Sequence, residues 1–161
     1  MKKIEVKVTF EQYESAAELE EEDRQLLSMA GEATKSAYAP YSHFHVGAAV
    51  LLENGKVVRG SNQENAAYPS GLCAERVALF SAGSQYPDVK IKKIAVTAFL
   101  EGSEVPHPVS PCGDCRQVMA EYEHRYGTDI RLIMVSEGGK ILLSDNVKTI
   151  LPFMFNSDNL R

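Results

Sequence analysis

The sequence predicts an α/β fold, a mixed sheet covered by helices. Three observations carry that expectation. Strand-type apolar runs alternate with segments of helical spacing along most of the chain. Asn54-Gly55 separates two β-prone runs and marks an early hairpin. The 161 residues, 44% of them hydrophobic, suffice for one domain with a real core, and they contain no internal repeat, low-complexity tract or interdomain linker.

In chain order, residues 1–18 read as an N-terminal extension to a domain spanning 19–161. Ile4, Val6, Val8 and Phe10 alternate with polar residues, which predicts a strand there. The acidic run from Glu18 to Asp23 reads as a solvated helix start, where negative charge complements the helix dipole. Leu26, Leu27, Ala30, Ala33 and Ala37 continue at helical spacing until Tyr38-Ala39-Pro40-Tyr41 stops the helix. The hairpin strands are Val46 to Leu52 and Lys56 to Gly60. A helix over 73–82, a buried strand Ile91 to Phe99, a proline-rich loop from Glu101 to Pro111 and a helix over 113–126 follow. Strands Ile130 to Val135 and Ile141 to Leu143 flank the turn Glu137-Gly138-Gly139-Lys140, and Val147 to Leu151 forms a last short helix.

The net charge of -5, with no basic stripe, argues against a nucleic-acid partner and favours a small, weakly charged substrate. No apolar run approaches the roughly 20 residues of a membrane span, and no apolar segment follows Lys2 and Lys3 to make a signal peptide. A cytoplasmic location without membrane partners is expected. Three cysteines, an odd number in a reducing compartment, point to metal or thiol chemistry.

Those cysteines fall in two pieces, Cys73-Ala74-Glu75-Arg76 and Pro111-Cys112-Gly113-Asp114-Cys115, each at a predicted helix start. Unpaired amides and the positive dipole end there favour thiolate, the form that binds zinc. Cys112 and Cys115 are spaced to reach one metal from a single turn. Three protein ligands, one short of a closed structural site, leave a position for water, which bound zinc acidifies to a pKa of about 7. Glu75, two residues past a ligand, lies near the metal and suits a general acid/base. A first ligand, a glutamate two residues on and a downstream Pro-Cys-x-x-Cys make up the general signature of zinc deaminases. Three thiolates against Zn²⁺ leave excess negative charge, and Arg76 and Arg116 are placed to donate to the sulfurs.

On these residues the chain resembles the small homotetrameric cytidine deaminases, over roughly Leu26 to Phe155. Tyr41-Ser42-His43-Phe44-His45-Val46-Gly47-Ala48-Ala49 is similar to their first-strand segment, Asn62-Gln63-Glu64-Asn65-Ala66 to their ribose-binding segment, and the two cysteine pieces, extended to Arg116-Gln117, to their metal segments. The resemblance implies a three-layer α/β/α sandwich with a mixed, roughly five-stranded sheet. It implies one Zn²⁺ per subunit on Cys73, Cys112 and Cys115, a homotetramer with shared active sites, and hydrolytic deamination of cytidine and deoxycytidine in pyrimidine salvage. Phe44, with Val46 beside it, would stack on the pyrimidine, and Asn62 and Glu64 would hold the ribose 3′-hydroxyl. The backbone of Ala74 would bind the 2-carbonyl and that of Ser110 the departing amine. Arg76 would bond to the zinc thiolates, Glu75 would shuttle protons from water to the ring and the amino group, and Ala66, Tyr68 and Phe155 would reach a neighbouring subunit's site.

Plainer readings stand beside these. Cys112 and Cys115 alone would suit a redox pair. A structural zinc site would need His107 or His124 as a fourth ligand, and neither has regular spacing to the cysteines. His43 and His45 fall on the opposite strand face from Phe44 and read as structural or interface residues. Asn62 and Glu64 would serve equally as turn residues, Tyr68 and Phe155 as intrachain core, and Arg116 as a helix-start residue bridging to an acidic neighbour. A deaminase of an antibiotic cytosine nucleoside, of the blasticidin type, shares three cysteines, and an inactive zinc-binding module would keep the same ligands. The Asn62-to-Asn65 segment and Arg76 favour cytidine.

Overall fold

A computed structural model describes residues 1–160. Its centre is a six-stranded mixed sheet of β1 (Glu11–Tyr13), β2 (Phe44–Leu52), β3 (Val57–Ser61), β4 (Ile91–Leu100), β5 (Arg131–Val135) and β6 (Ile141–Ser144), in spatial order β1-β6-β5-β4-β2-β3. The helices are α1 (Glu21–Ala33), α2 (Ala74–Gln85) and α3 (Gly113–Tyr126). Only β4 and β5 pair in parallel, because α3 lies between them in the chain and returns it to the same end of the sheet. The other neighbours are antiparallel. The Asn54-Gly55 hairpin forms as its sequence predicts, with Gly55 at φ 79 and the Asn54 side chain accepting from Lys56 N at 3.1 Å.

Alternation along the strands divides the core in two. Ala48, Val50, Leu52, Ile94, Val96, Leu132 and Met134 face α2 and α3. Ala49, Leu51, Ala95, Ile133, Ile141 and Leu143 face α1, meeting Leu26 and Ala30. The result is the expected three-layer α/β/α sandwich. Two contacts set how closely the helices approach. A β carbon on Gly47 of β2 would collide with the Ala30 carbonyl oxygen of α1, and one on Gly60 of β3 would lie 2.5 Å from the Ala74 carbonyl oxygen of α2. Gly127 closes α3 in the left-handed conformation, φ 61.

Three expectations need correction. The sheet has six strands, the sixth being β1, whose three residues pair with Ile141–Leu143 of β6. The strand expected over Ile4 to Phe10 is absent; those residues have no regular secondary structure and are exposed. Period-2 alternation supplies a face but no partner, and β6 is four residues long, so only Glu11–Tyr13 find a ladder. The acidic helix start is not wholly solvated. Asp23 is fully buried, its Oδ1 2.5 Å from Lys93 Nζ and its Oδ2 3.4 Å from Arg131 Nε, so a carboxylate ties α1 to β4 and β5. Among the described residues no helix is long and apolar enough to cross a membrane.

Candidate active site

Helices α2 and α3 both start at the same place beneath the β2–β4 end of the sheet, and each starts with a cysteine. Cys73 is extended (φ -70, ψ 152) and caps α2; Cys112 (φ -66, ψ 170) caps α3, and Cys115 follows one turn in. This brings together three sulfurs distant in sequence, all within 4.8 Å of one another. Cys73 Sγ lies 3.7 Å from Cys112 Sγ, which lies 3.5 Å from Cys115 Sγ. Tetrahedral zinc with Zn–S bonds of about 2.3 Å requires sulfurs about 3.8 Å apart, so the donor set fits that ion in element type and in size. Among the described residues no fourth His, Cys, Asp or Glu joins the cluster. His124 is spent at the far end of α3, where Nε2 meets Ser157 Oγ at 2.9 Å.

The thiols differ in character. Cys73 is drawn down to about 5 by the Cys115 thiol, which donates to it, and by Arg76, against the effect of burial; Cys115, as donor and fully buried, is pushed up. Arg76 Nη2 reaches Cys73 Sγ at 3.8 Å while Nη1 lies 3.8 Å from Asp114 Oδ2. Glu75, in the first turn of α2, is 4% exposed. Burial holds its carboxyl above the usual carboxylate range, reinforced by the Cys73 charge and opposed by hydrogen bonding.

Cys73, Cys112 and Glu75 line a cavity of about 810 Å³, whose wall also includes Phe44, Val46, Asn62, Glu64, Tyr68 and Ser110, with Cys115 fully buried behind it. Six sequence-predicted residues from four separate segments thus converge on one space. Asn62 and Glu64 do so with their side chains already engaged. Asn62 Oδ1 accepts from Val46 N and its Nδ2 donates to Phe44 O, both at 2.8 Å, so the carboxamide fixes the backbone on either side of His45. Glu64 accepts from Tyr41 N at 2.9 Å and from Ser42 Oγ at 2.5 Å, and these bonds, Ser42 first, lower its pKa. Ala74 opens α2, fully buried, with its N–H among the first-turn amides that lack helical partners.

Among the described residues, Arg116 contacts neither the sulfurs nor an acidic side chain. Nε donates to Pro111 O at 2.7 Å, Nη2 to Ser110 Oγ at 2.9 Å and Nη1 to Ile150 O at 3.1 Å. The guanidinium therefore anchors the Ser110-Pro111 lip of the cavity to the C-terminal segment. Ala66, Tyr68 and Phe155 belong to no core of this chain: Ala66 is exposed, Tyr68 is 77% exposed and Phe155 57%. Tyr68 stands edge-on to Tyr41, ring centroids 6.1 Å apart.

Other residues at the cavity carry no signal in the sequence. Leu72 and Val109 line it from irregular segments, where apolar residues have no period to reveal them. His43, between the cavity residues Ser42 and Phe44, adopts φ 55, a left-handed conformation that non-glycine residues rarely hold.

Comparison with known proteins gives the family. The family model of the cytidine and deoxycytidylate deaminase zinc-binding region matches residues 20–126. A cytidine deaminase of Halalkalibacterium halodurans is 45% identical over 124 residues, 71% of this chain and 89% of that protein. One of Mycobacterium tuberculosis is 35% identical over 144 residues, 84% of this chain and 90% of its own. The crystal structure of cytidine deaminase from Burkholderia pseudomallei superposes with a TM-score of 0.69 at 37% identity, covering 81% of this chain and 97% of that one. With the matched region spanning both cysteine pieces, the chain belongs to the cytidine and deoxycytidylate deaminase family.

Proposed function

We propose that the protein hydrolyses cytidine and deoxycytidine to uridine and deoxyuridine, releasing ammonia, with Cys73, Cys112 and Cys115 holding one Zn²⁺. The observation that carries this reading is the buried carboxyl of Glu75, set beside three convergent sulfurs, two of which line a cavity in the size range of small-molecule sites. Zinc, when bound, supplies a Lewis acid that makes water ionisable at neutral pH.

Glu75 receives a proton from the attacking water and delivers one to N3 of the pyrimidine as C4 becomes tetrahedral. It then takes the proton of the new C4 hydroxyl and passes it to the C4 amino group, which leaves as ammonia as the C4–N bond breaks and the C4 carbonyl forms. A carboxyl with its pKa raised by burial suits this work, since it must hold a proton as readily as it releases one. Phe44 stacks on the pyrimidine with Val46 beside it. The Ala74 amide binds the 2-carbonyl, and the backbone at Ser110, braced by Arg116, receives the departing amine. Arg76 offsets the excess negative charge of the thiolates.

Asn62 and Glu64 act at the ribose 3′-hydroxyl, and their geometry makes part of that role indirect. Asn62 positions the Phe44–Val46 backbone, and Glu64 positions the Tyr41-Ser42 turn while keeping a carboxylate at the cavity wall. A carboxylate there repels phosphate, so a nucleoside is favoured over a nucleotide. The exposure of Ala66, Tyr68 and Phe155 supports a homotetramer in which they complete neighbouring sites, and a cytoplasmic place in pyrimidine salvage accords with that substrate.

Absorbance at ultraviolet wavelengths, followed as cytosine becomes uracil, tests the activity. Cytidine and deoxycytidine are expected to turn over, and their monophosphates far more slowly. Silence of zinc-replete protein toward both nucleosides sinks the reading, and turnover of an antibiotic cytosine nucleoside alone replaces it with the blasticidin-type activity. Light scattering on the eluting protein checks the tetramer.

A further inference from the structure

Directly behind Phe44, on the other face of β2, one carboxylate touches two imidazoles. Glu101 Oε1 lies 2.9 Å from His45 Nε2 and Glu101 Oε2 lies 3.3 Å from His43 Nδ1. Glu101 immediately follows the last residue of β4, and Phe44 pairs with Leu100, so Glu101 stands across from His43 and diagonally from His45 on one face. The backbone continues the contact, Glu101 N donating to His43 O at 3.2 Å. His43 is also one of the described residues' two non-glycine positions at positive φ. Such a conformation persists when its surroundings over-determine it. Here His43 N donates to Ala39 O at 3.0 Å and Phe44 N donates to Ser42 Oγ at 3.1 Å, while Asn62 grips the carbonyl of Phe44.

We infer that the His43–Glu101–His45 bridge is a positioning device: it locks the left-handed turn at His43 and thereby aims Phe44 into the nucleoside cavity. It rests on the reading of Phe44 as the base-stacking residue. The bridge touches no substrate. It acts through the backbone: Phe44 and His45 alternate to opposite faces of β2, and the His43 ring, meeting the same carboxylate as His45, lies on the His45 side. Its atoms are partly exposed, so its strength is that of a few surface contacts, and its effect belongs in substrate binding and not in the chemical step.

The test compares E101A, E101Q and F44A as zinc-loaded proteins. E101A is expected to raise KM for cytidine about three- to tenfold, the range for losing two partly exposed polar contacts. Its kcat, zinc content and thermal midpoint should stay at wild-type values, while amide exchange over residues 42–46, measured without substrate, quickens. E101Q, which keeps one acceptor and gains one donor for the two rings, should restore KM to within twofold. A KM for E101A within twofold of wild type, unchanged exchange over 42–46, or an E101Q no better than E101A overturns the inference. F44A separates the two levels. If it leaves KM unchanged, the stacking role of Phe44 fails and the bridge loses its purpose; if it raises KM while E101A does not, the bridge alone is refuted.

Discussion

Gly60 backs directly onto Ala74: a β carbon on the glycine would lie 2.5 Å from the Ala74 carbonyl oxygen and 2.5 Å from Ala78 N. The first turn of α2, which bears Cys73 and Glu75, is therefore seated by an absence of side chain on β3. Gly60→Ala must push α2 outward or twist β3. Overpacking of this kind costs about 1–3 kcal/mol, and a displacement near 1 Å at the reacting groups lowers turnover by roughly tenfold to a hundredfold. Urea melts and steady-state kinetics on one preparation check both numbers.

Glu75→Gln keeps the shape of a buried side chain while removing its proton chemistry. A fall in kcat of about 10²–10⁴ is expected, with zinc content and thermal midpoint near wild type. Metal analysis beside the kinetics distinguishes this from loss of the ion. Near-normal turnover in the variant contradicts the assignment.

Asn62→Ala leaves Val46 N and Phe44 O without their side-chain partners at the cavity edge. Losing such a bridge costs about 1–3 kcal/mol of stability, and KM for cytidine should rise with it. If Asn62 touched only the sugar, KM alone would move, so calorimetry on the free protein separates the two roles.

Metal removal should be legible in the thiols. In metal-free protein Cys73, drawn down to about 5, is a thiolate at neutral pH, so it should react fast with a disulfide reagent, whereas the buried Cys115 lags. Zinc should protect all three. Chelation should also lower the thermal midpoint by roughly 5–15 °C, the scale for losing a tightly bound ligand of the folded state. Labelling rates equal with and without zinc would exclude the cysteines as ligands.

Glu123 gives a pH signature outside the active site. It is buried, and burial raises its pKa, although Oε1 accepts from Ile130 N and Val147 N at 2.8 Å each. The unfolded value is about 4.3, so the folded state holds this proton more firmly. The group favours folding while protonated, and that contribution disappears as pH rises through the raised folded value. Glu123→Gln keeps an acceptor for both amides and cannot ionise. Its stability relative to wild type should therefore climb as pH rises from the unfolded value through the raised folded one; denaturant midpoints at matched pH measure it, and a flat difference would contradict the burial effect.

Strand and helix periods were legible because they are local. The apolar, β-prone run Val46 to Leu52 and the cysteine-bearing helix starts depend on neighbouring residues only, and so does the Asn54-Gly55 turn. The chemistry of the site was legible for a similar reason: Cys73-Ala74-Glu75 and Cys112 to Cys115 are short, and metal binding tolerates few other residue types at such spacing. Failures came where a partner mattered. Ile4 to Phe10 have the pattern of a strand and no ladder to join, and Asp23 looks like a solvated acid until Lys93 and Arg131, some 70 and 108 positions on, close over it.

The sequence by itself determined the order of elements, the three sulfurs and the carboxyl beside them. Tertiary structure alone decided what Arg116 holds, why Gly60 has no side chain, and that Asn62, His43 and Glu101 act on the backbone around Phe44. The reason is physical. A side chain's donors and acceptors are fixed by its identity, but which ones they meet is fixed by the packing of segments far apart in the chain.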